Sequence, residues 1–130
     1  MTTGHNPPEL WDAKPAGMSQ AVSATGRIVA VSGQVALDAD GNLVGGEDFE
    51  AQAVQAFENL RVALAAAGAT FADVIRIGSY VSDIANLGAL REVRMRYLVE
   101  PYPAATALEA VLALPELLVE VEALAVVNDD

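Results

Sequence analysis

The chain has 130 residues, which is enough for one domain with a hydrophobic core. Seven basic residues against eighteen acidic ones give a net charge of −11. This balance argues against a nucleic-acid backbone as partner, because such binding depends on clustered Lys and Arg. The absence of cysteine excludes disulfides and a thiol nucleophile, and no apolar run approaches the roughly 18 residues of a membrane span. A hydrophobic fraction of 53% favours self-association.

The first part of the chain is predicted to be extended. Residues 1–16 hold three prolines and predict an N-terminal arm ahead of a single domain over 17–130. The arm lacks a basic start followed by an apolar core, so we expect no signal peptide and a cytoplasmic protein. Residues 26–37 are rich in β-branched side chains and predict a strand, with a bulge or close backbone approach at Ser32-Gly33. Residues 38–42, "DADGN", predict a turn.

Two helices and further strands are predicted downstream of this turn. In chain order they are a short strand over 43–46, a helix capped by Asp48 and ended by Gly68, a strand over 73–81, a helix from the cap Asp83 to about Leu98, and strands over 104–111 and 117–127. The order β-β-(β)-α-β-α-β-β predicts an α+β fold with two helices on one face of a mixed sheet.

The last strand places two carboxylates on one face. A period of two puts Glu120 and Glu122 on the same side as large apolar residues and opposite a continuous apolar face. For Glu122 we favour a simple exposed, mixed face. For Glu120 the alternative is a carboxylate in a partly buried cleft, where it could hold or deprotonate a water molecule.

The second helix carries two arginines beside an apolar stripe. At about 100° per residue, Arg91 and Arg94 cluster with Leu87 and Leu98. One interpretation is that both side chains lie over the stripe and keep their charge in water. The alternative is that one of them binds an anionic ligand at an interface, because a guanidinium can hold a carboxylate at two points.

Other classes of site have little support in the sequence. His5 is the only histidine and lies in the arm, so neither a zinc site nor a serine–histidine triad is expected, and we predict no metal ligands. No glycine fingerprint for a phosphate or a dinucleotide opens a predicted helix.

Five separate stretches, in a characteristic order, point to a known family. They are "SQAV" (19–22), "VSGQV" (31–35), "DADGNLVGG" (38–46), "DFEAQAVQAFENLRVALAAAGAT" (48–70) and "LVEVEALAV" (118–126). Together they resemble the Rid family, also called YjgF-like, over nearly the whole chain. The resemblance implies a chorismate-mutase-like fold and a homotrimer, in which the sheets of three subunits line a central barrel and a small-molecule ligand binds in a cleft at each subunit interface.

The resemblance also implies an activity, with one departure. Members of the family hydrolyse reactive imines and enamines of 2-oxo acids to the 2-oxo acid and ammonia, without a metal or organic cofactor. An arginine in a Pro-Ala-Arg-Ser motif grips the substrate carboxylate. The matching residues here are 103–106, so Ala105 stands at the arginine position. Losing that ion pair without replacement would cost roughly two orders of magnitude in transition-state stabilisation.

At the other cleft positions, this sequence keeps some residues of the family and changes one. The resemblance places Ser32 and Gly33 beside the cleft, makes Glu120 the acid that positions the attacking water, and leaves the backbone near Thr106 to orient the ligand. Met18 replaces a tyrosine of the family.

The missing cation leaves two alternatives open. In the first, Arg91, which stands where the family has an asparagine, or Arg94 replaces it. In the second, the ligand has no carboxylate, and Met18, Ala105 and Ala107 suit a bulkier and less polar molecule.

Two functions follow from these alternatives. The favoured one is an imine or enamine deaminase with an altered substrate range. The other is a non-catalytic trimer that binds a metabolite in the same clefts. Ribonuclease action, sometimes attached to this family, is disfavoured by the negative charge and by the lack of a histidine pair.

Overall fold

A computed structural model describes residues 2–130 of the chain. Its strands are β1 (Thr2–His5), β2 (Ala21–Ala24), β3 (Arg27–Gln34), β4 (Val74–Val81), β5 (Ala104–Glu109) and β6 (Val119–Val127), and its helices are α1 (Phe49–Ala66) and α2 (Leu87–Met95). Short 3-10 turns cover Lys14–Ala16, Phe71–Asp73 and Ile84–Asn86. Among these residues no helix combines the length and the apolar character needed to cross a bilayer.

The main sheet has four strands in the order β3-β6-β4-β5. β6 runs antiparallel to both of its neighbours, whereas β5 runs parallel to β4 and is reached through α2. Both helices pack on one face of this mixed sheet, and the core lies between the two layers. The predicted α+β fold with two helices on one face is confirmed.

The first strand of the N-terminal arm is not isolated from the rest of the chain. β1 pairs antiparallel with β2, with Thr2 opposite Ala24 and His5 opposite Ala21. The side chains of His5 and Ser23 are joined by a hydrogen bond of 2.8 Å between Nε2 and Oγ. This pairing satisfies backbone groups that an extended arm would leave to water. The division at residue 16 stays a prediction.

α1 forms where its end signals lie. The Asp48 carboxylate accepts the backbone N–H of Ala51 at 3.2 Å, and the chain leaves the helix through Gly68 at φ +77°. The buried positions recur at helical spacing, as expected; they are Phe49, Gln52, Ala53, Ala56, Phe57, Leu60 and Leu64. The polar member of this set, Gln52, ties the helix to the loop before β6.

Four predicted elements differ from the structure. The strands predicted over 26–37 and 104–111 end earlier, at Gln34 and Glu109. Residues 43–46 do not form a strand, and a single bridge joins Leu37 to Leu43, because Gly45 and Gly46 both have positive φ angles that end the extended backbone. The second helix begins at Leu87, after Asp83 has capped the preceding 3-10 turn, and ends at Met95 instead of Leu98. The last turn tightens, since Tyr97 N–H donates to the carbonyl of Arg94, three residues back.

Candidate functional site

The alternation predicted for β6 is confirmed. Val119, Val121 and every second residue up to Val127 are buried against the helices, whereas Glu120 and Glu122 are half-buried on the opposite face of the sheet. Strand geometry enforces this division, because successive side chains point to opposite sides. The face away from the helices is the one that carries the carboxylates.

Glu122 is fixed by its neighbour on β4. The Tyr80 hydroxyl donates a short hydrogen bond to the Glu122 carboxylate. This bond, with a smaller contribution from burial, raises the pKa of Tyr80 above its usual value. Glu122 is therefore half-buried and held in place, and the simple exposed face that we favoured for it is wrong.

Glu120 lies beside the irregular end of β3. The register between β3 and β6 shifts between Val31 and Gln34, which confirms the bulge predicted at Ser32-Gly33. A β-carbon at Gly33 would overlap the carboxylate of Glu120, so the absence of a side chain there makes room for it. Unlike Glu122, the Glu120 carboxylate accepts no hydrogen bond from residues 2–130. It is a half-buried acid with free acceptor sites.

A second group of predicted residues surrounds a cavity at the edge strand β5. The cavity measures about 260 Å³, and its lining residues are Met18, Leu87, Arg91, Arg94, Ala105, Thr106 and Ala107. Five of the eight predicted site residues therefore meet here. Ser32, Gly33 and Glu120 do not line this cavity. Ser32 and Gly33 lie on β3 and Glu120 lies on β6, so β4 separates all three from β5 in the sheet.

Arg94 is the buried cation of this cavity. Its residue is 2% exposed, and its Nη2 donates to the carbonyl of Ala16 at 2.8 Å. Its Nε has no hydrogen-bond partner in the part of the chain that the structure describes. Burial, with a smaller contribution from the charge of Arg91, lowers the pKa of Arg94 from its usual value. An arginine keeps its charge at neutral pH even so.

Three contacts near these residues were missed at the level of sequence. They are the bond from Tyr80 to Glu122, the bond of 3.1 Å from Arg76 Nη2 to Thr106 Oγ1, and the bond from Arg94 to Ala16. The alternation of Arg76, Gly78 and Tyr80 along β4 could have placed the first two on the carboxylate face. Nothing local to the helix signals the third.

No metal centre emerges from the donor side chains. Among residues 2–130, no three His, Cys, Asp or Glu side chains come close enough together to hold a metal ion. Glu120, a half-buried carboxylate without a hydrogen bond, and Arg94, a buried guanidinium without an acidic partner among residues 2–130, lie in separate parts of the chain.

The fold and these groups define a class of protein: a small α+β domain with carboxylates on its open sheet face and a cation-lined cavity at its edge strand. The chain matches the family model described as endoribonuclease L-PSP over residues 12–127, and it belongs to that family, which includes the Rid and YjgF proteins. The resemblance found in the sequence is thus confirmed. That Ala105 occupies the family's arginine position stays a prediction.

Named relatives support the assignment over most of the chain. The chain is 40% identical to YyfB of Yersinia pestis, a Rid-family protein of unknown function, with a TM-score of 0.90 over 97% of this chain and 98% of that one. It is 34% identical to RidA from an Antarctic Psychrobacter, with a TM-score of 0.72 over 84% and 87% of the two chains. A RutC family protein of Pyrococcus horikoshii is 36% identical over 114 residues, which are 86% of this chain and 89% of the relative.

Proposed function

We propose that the protein hydrolyses reactive imines or enamines to a carbonyl compound and ammonia, with a substrate range that differs from that of its relatives. The observation that carries this proposal is Glu120, a half-buried carboxylate that accepts no hydrogen bond from residues 2–130 and lies against the bulge at Gly33. Such a group is suited to take a proton from water. Membership of the Rid and YjgF family supports the reaction type.

The reaction needs one base that is later restored. Glu120 takes a proton from water as the water oxygen bonds to the imine carbon, and it gives that proton to the imine nitrogen as the π bond breaks. Glu120 then takes the hydroxyl proton of the resulting carbinolamine and passes it to the nitrogen as the C–N bond breaks, so that ammonia leaves and the carbonyl forms. One water is consumed, and Glu120 returns to its carboxylate form. The chemistry requires no redox step.

We also propose that the active form is a homotrimer whose carboxylate-bearing sheet faces line a central barrel. Support comes from apolar side chains left open on that face: Ile28 is 71% exposed and Leu108 is 42% exposed, with Leu124 of β6 nearby in the sheet. A patch of this kind on a small protein marks an interaction surface. Burying it between copies would account for the high apolar content of the chain.

The trimer would also bring the two halves of the site together. Glu120 and the Arg94 cavity are separate within one chain, because β4 lies between the strands that carry them. A neighbouring copy can place its own Glu120, Ser32 and Gly33 over the cavity. We place this activity in the cytoplasm and assign it no cofactor.

The direct test is an imine assay. An amino-acid oxidase would generate 2-iminopropanoate and bulkier 2-imino acids in the presence of catalase, and semicarbazide would trap the imine that remains. The protein should lower the rate of semicarbazone formation in proportion to its concentration. Semicarbazone formation at the protein-free rate for every imine would refute the proposal.

Replacing Gly33 by Ala should slow the reaction without unfolding the protein. Gly33 does not have a positive φ, so its backbone tolerates alanine, but the new β-carbon must push the Glu120 carboxylate aside. Misplacing a reacting group by about 1 Å can cost up to about a hundredfold, and we expect roughly tenfold in kcat/KM. The matched control is Gly78→Ala, whose β-carbon would lie 2.7 Å from Glu122 Oε1. Equal activity of the two variants would contradict the prediction.

A non-catalytic ligand-binding trimer is the second candidate. It is favoured by the alanine at position 105, which leaves the edge strand without a cation of its own. A bound metabolite with no turnover of any imine would support it. Ribonuclease action, named in the description of the family model, is a weaker candidate, because a net charge of −11 repels a phosphate backbone.

A further inference from the structure

We propose that Arg94 is the carboxylate-binding group of this protein, and that its substrates are small carboxylates with an apolar substituent. This inference rests on the proposed function, since it names the ligand class of the same site. The carboxylate is then bound by a residue of α2 and not by a residue of the edge strand β5.

Arg94 is energetically costly in its present surroundings. A charged group that is 2% exposed and has no counter-ion loses its hydration without full compensation. The ion pairs among residues 2–130 are Arg27–Asp129, Arg61–Glu58 and Arg96–Glu50, so Arg94 is not part of one. This is notable in a chain with eighteen acidic residues. A buried cation that pairs with none of these acids can bind an anion from outside the chain.

The guanidinium of Arg94 also has donor atoms that form no hydrogen bond within residues 2–130. Two buried side-chain polar atoms of the described residues have no hydrogen-bond partner, Ser79 Oγ and Arg94 Nε. Arg94 Nε is itself shielded from solvent, but Arg94 Nη1 is not among these buried atoms and donates no hydrogen bond within residues 2–130. Because Arg94 lines the cavity at β5, Nη1 is its donor that an entering ligand can reach. The bond from Nη2 to the Ala16 carbonyl holds the guanidinium in one orientation. A carboxylate can then be bound through the remaining edge of a rigid, planar fork.

Arg91 lines the same cavity as Arg94 but differs from it in burial. Its side chain is exposed and forms no ion pair among the described residues. An exposed, mobile guanidinium loses more side-chain entropy on binding, and its electrostatic attraction is weakened by water. Arg91 lowers the pKa of Arg94 through like-charge repulsion, so the pair makes the cavity more attractive to an anion than Arg94 alone would.

The other walls of the cavity define the rest of the ligand. Met18, Leu87 and Ala107 are apolar and face the same space, which has a volume of about 260 Å³. Ala105 leaves that space open, whereas a long cationic side chain at 105 would compete with Arg94 for it. The site therefore fits a 2-imino or 2-oxo acid with a short apolar side chain.

Calorimetric binding of 2-oxobutanoate tests the assignment without requiring turnover. The neutral amide of the same acid is the ligand control. Arg94→Gln should weaken binding of the acid by roughly 10- to 100-fold and leave binding of the amide nearly unchanged, because a charge-assisted hydrogen bond is lost only for the acid. Arg94→Lys should restore part of the affinity. Arg91→Gln should cost less than Arg94→Gln, and Arg96→Gln, outside the cavity, should cost nothing.

Three results would overturn the proposal: Arg94→Gln binding the acid as tightly as the wild type, Arg91→Gln producing the larger loss, or a carboxylate of a neighbouring copy paired with Arg94 in the assembled protein. If Arg94→Gln fails to fold, a crystal of the wild type with 2-oxobutanoate decides the matter. The expected carboxylate oxygen lies within about 3.2 Å of Arg94 Nη1, and a carboxylate bound elsewhere refutes the assignment. Binding without any imine turnover would reject the proposed hydrolysis and leave the role of Arg94 standing.

Discussion

Replacing Glu120 by Gln should lower kcat/KM for imine hydrolysis by about a hundredfold or more. The amide keeps the size of the side chain but cannot accept a proton from water, and a positioned general base is worth roughly 10² to 10⁴ in rate. Because the Glu120 carboxylate accepts no hydrogen bond from residues 2–130, the substitution breaks no contact that stabilises the chain. The loss should therefore appear in kcat, with the melting temperature unchanged.

The neighbouring acid supplies the control for this experiment. Glu122→Gln alters the same face of the same strand, and its amide oxygen can still accept the hydrogen bond from Tyr80. We expect its kcat/KM to stay within about threefold of the wild type. If both variants lose activity equally, the effect comes from the charge of the sheet face and not from a base at Glu120. If Glu120→Gln retains full activity, the assigned role is wrong.

The parts of this fold that were predictable are those specified by neighbours in the chain. Asp48 and Gly68 delimit α1 because capping and a positive φ are local requirements. The two faces of β6 follow from a period of two, and the bulge at Ser32-Gly33 follows from a glycine within a β-branched run. Each of these features needs only a few consecutive residues.

The parts of the site that were not predictable depend on contacts between distant segments. The helical spacing places both Arg91 and Arg94 beside the apolar stripe of α2. The sequence therefore does not decide which of the two arginines replaces the missing cation. Arg94 is buried because the turn Lys14–Ala16, 78 residues away along the chain, presents the Ala16 carbonyl to it. The fixing of Glu122 likewise depends on the register between β6 and β4, which sets Tyr80 within reach. Sequence periodicity places Tyr80 and Glu122 on the same face of the sheet, but it does not give the register that pairs them, and it carries no information on the contact of Arg94.

The largest effect on stability should come from Gln52. This side chain is fully buried on α1, and its amide makes three hydrogen bonds: Nε2 donates to the carbonyls of Gly46 and Glu116 at 2.6 and 3.0 Å, and Oε1 accepts from Leu118 N–H at 2.9 Å. Gln52→Ala leaves these backbone groups without their partner and opens a cavity. At about 1 kcal/mol for each lost bond, the free energy of unfolding should fall by about 3 kcal/mol.

Chemical denaturation at a fixed protomer concentration would measure this loss, because assembly contributes to the apparent stability. Gln55→Ala is the matched control: it lies three residues further along α1, is half-buried, and bonds only to the side chain of Asn59. We expect it to cost less than about 1 kcal/mol. The contact from Gln52 to Leu118 also fixes the chain two residues before Glu120, so Gln52→Ala should reduce activity at temperatures where the protein is still folded. Equal stability of the two variants would show that the backbone around Leu118 finds other partners, and that the start of β6 is held by the sheet alone.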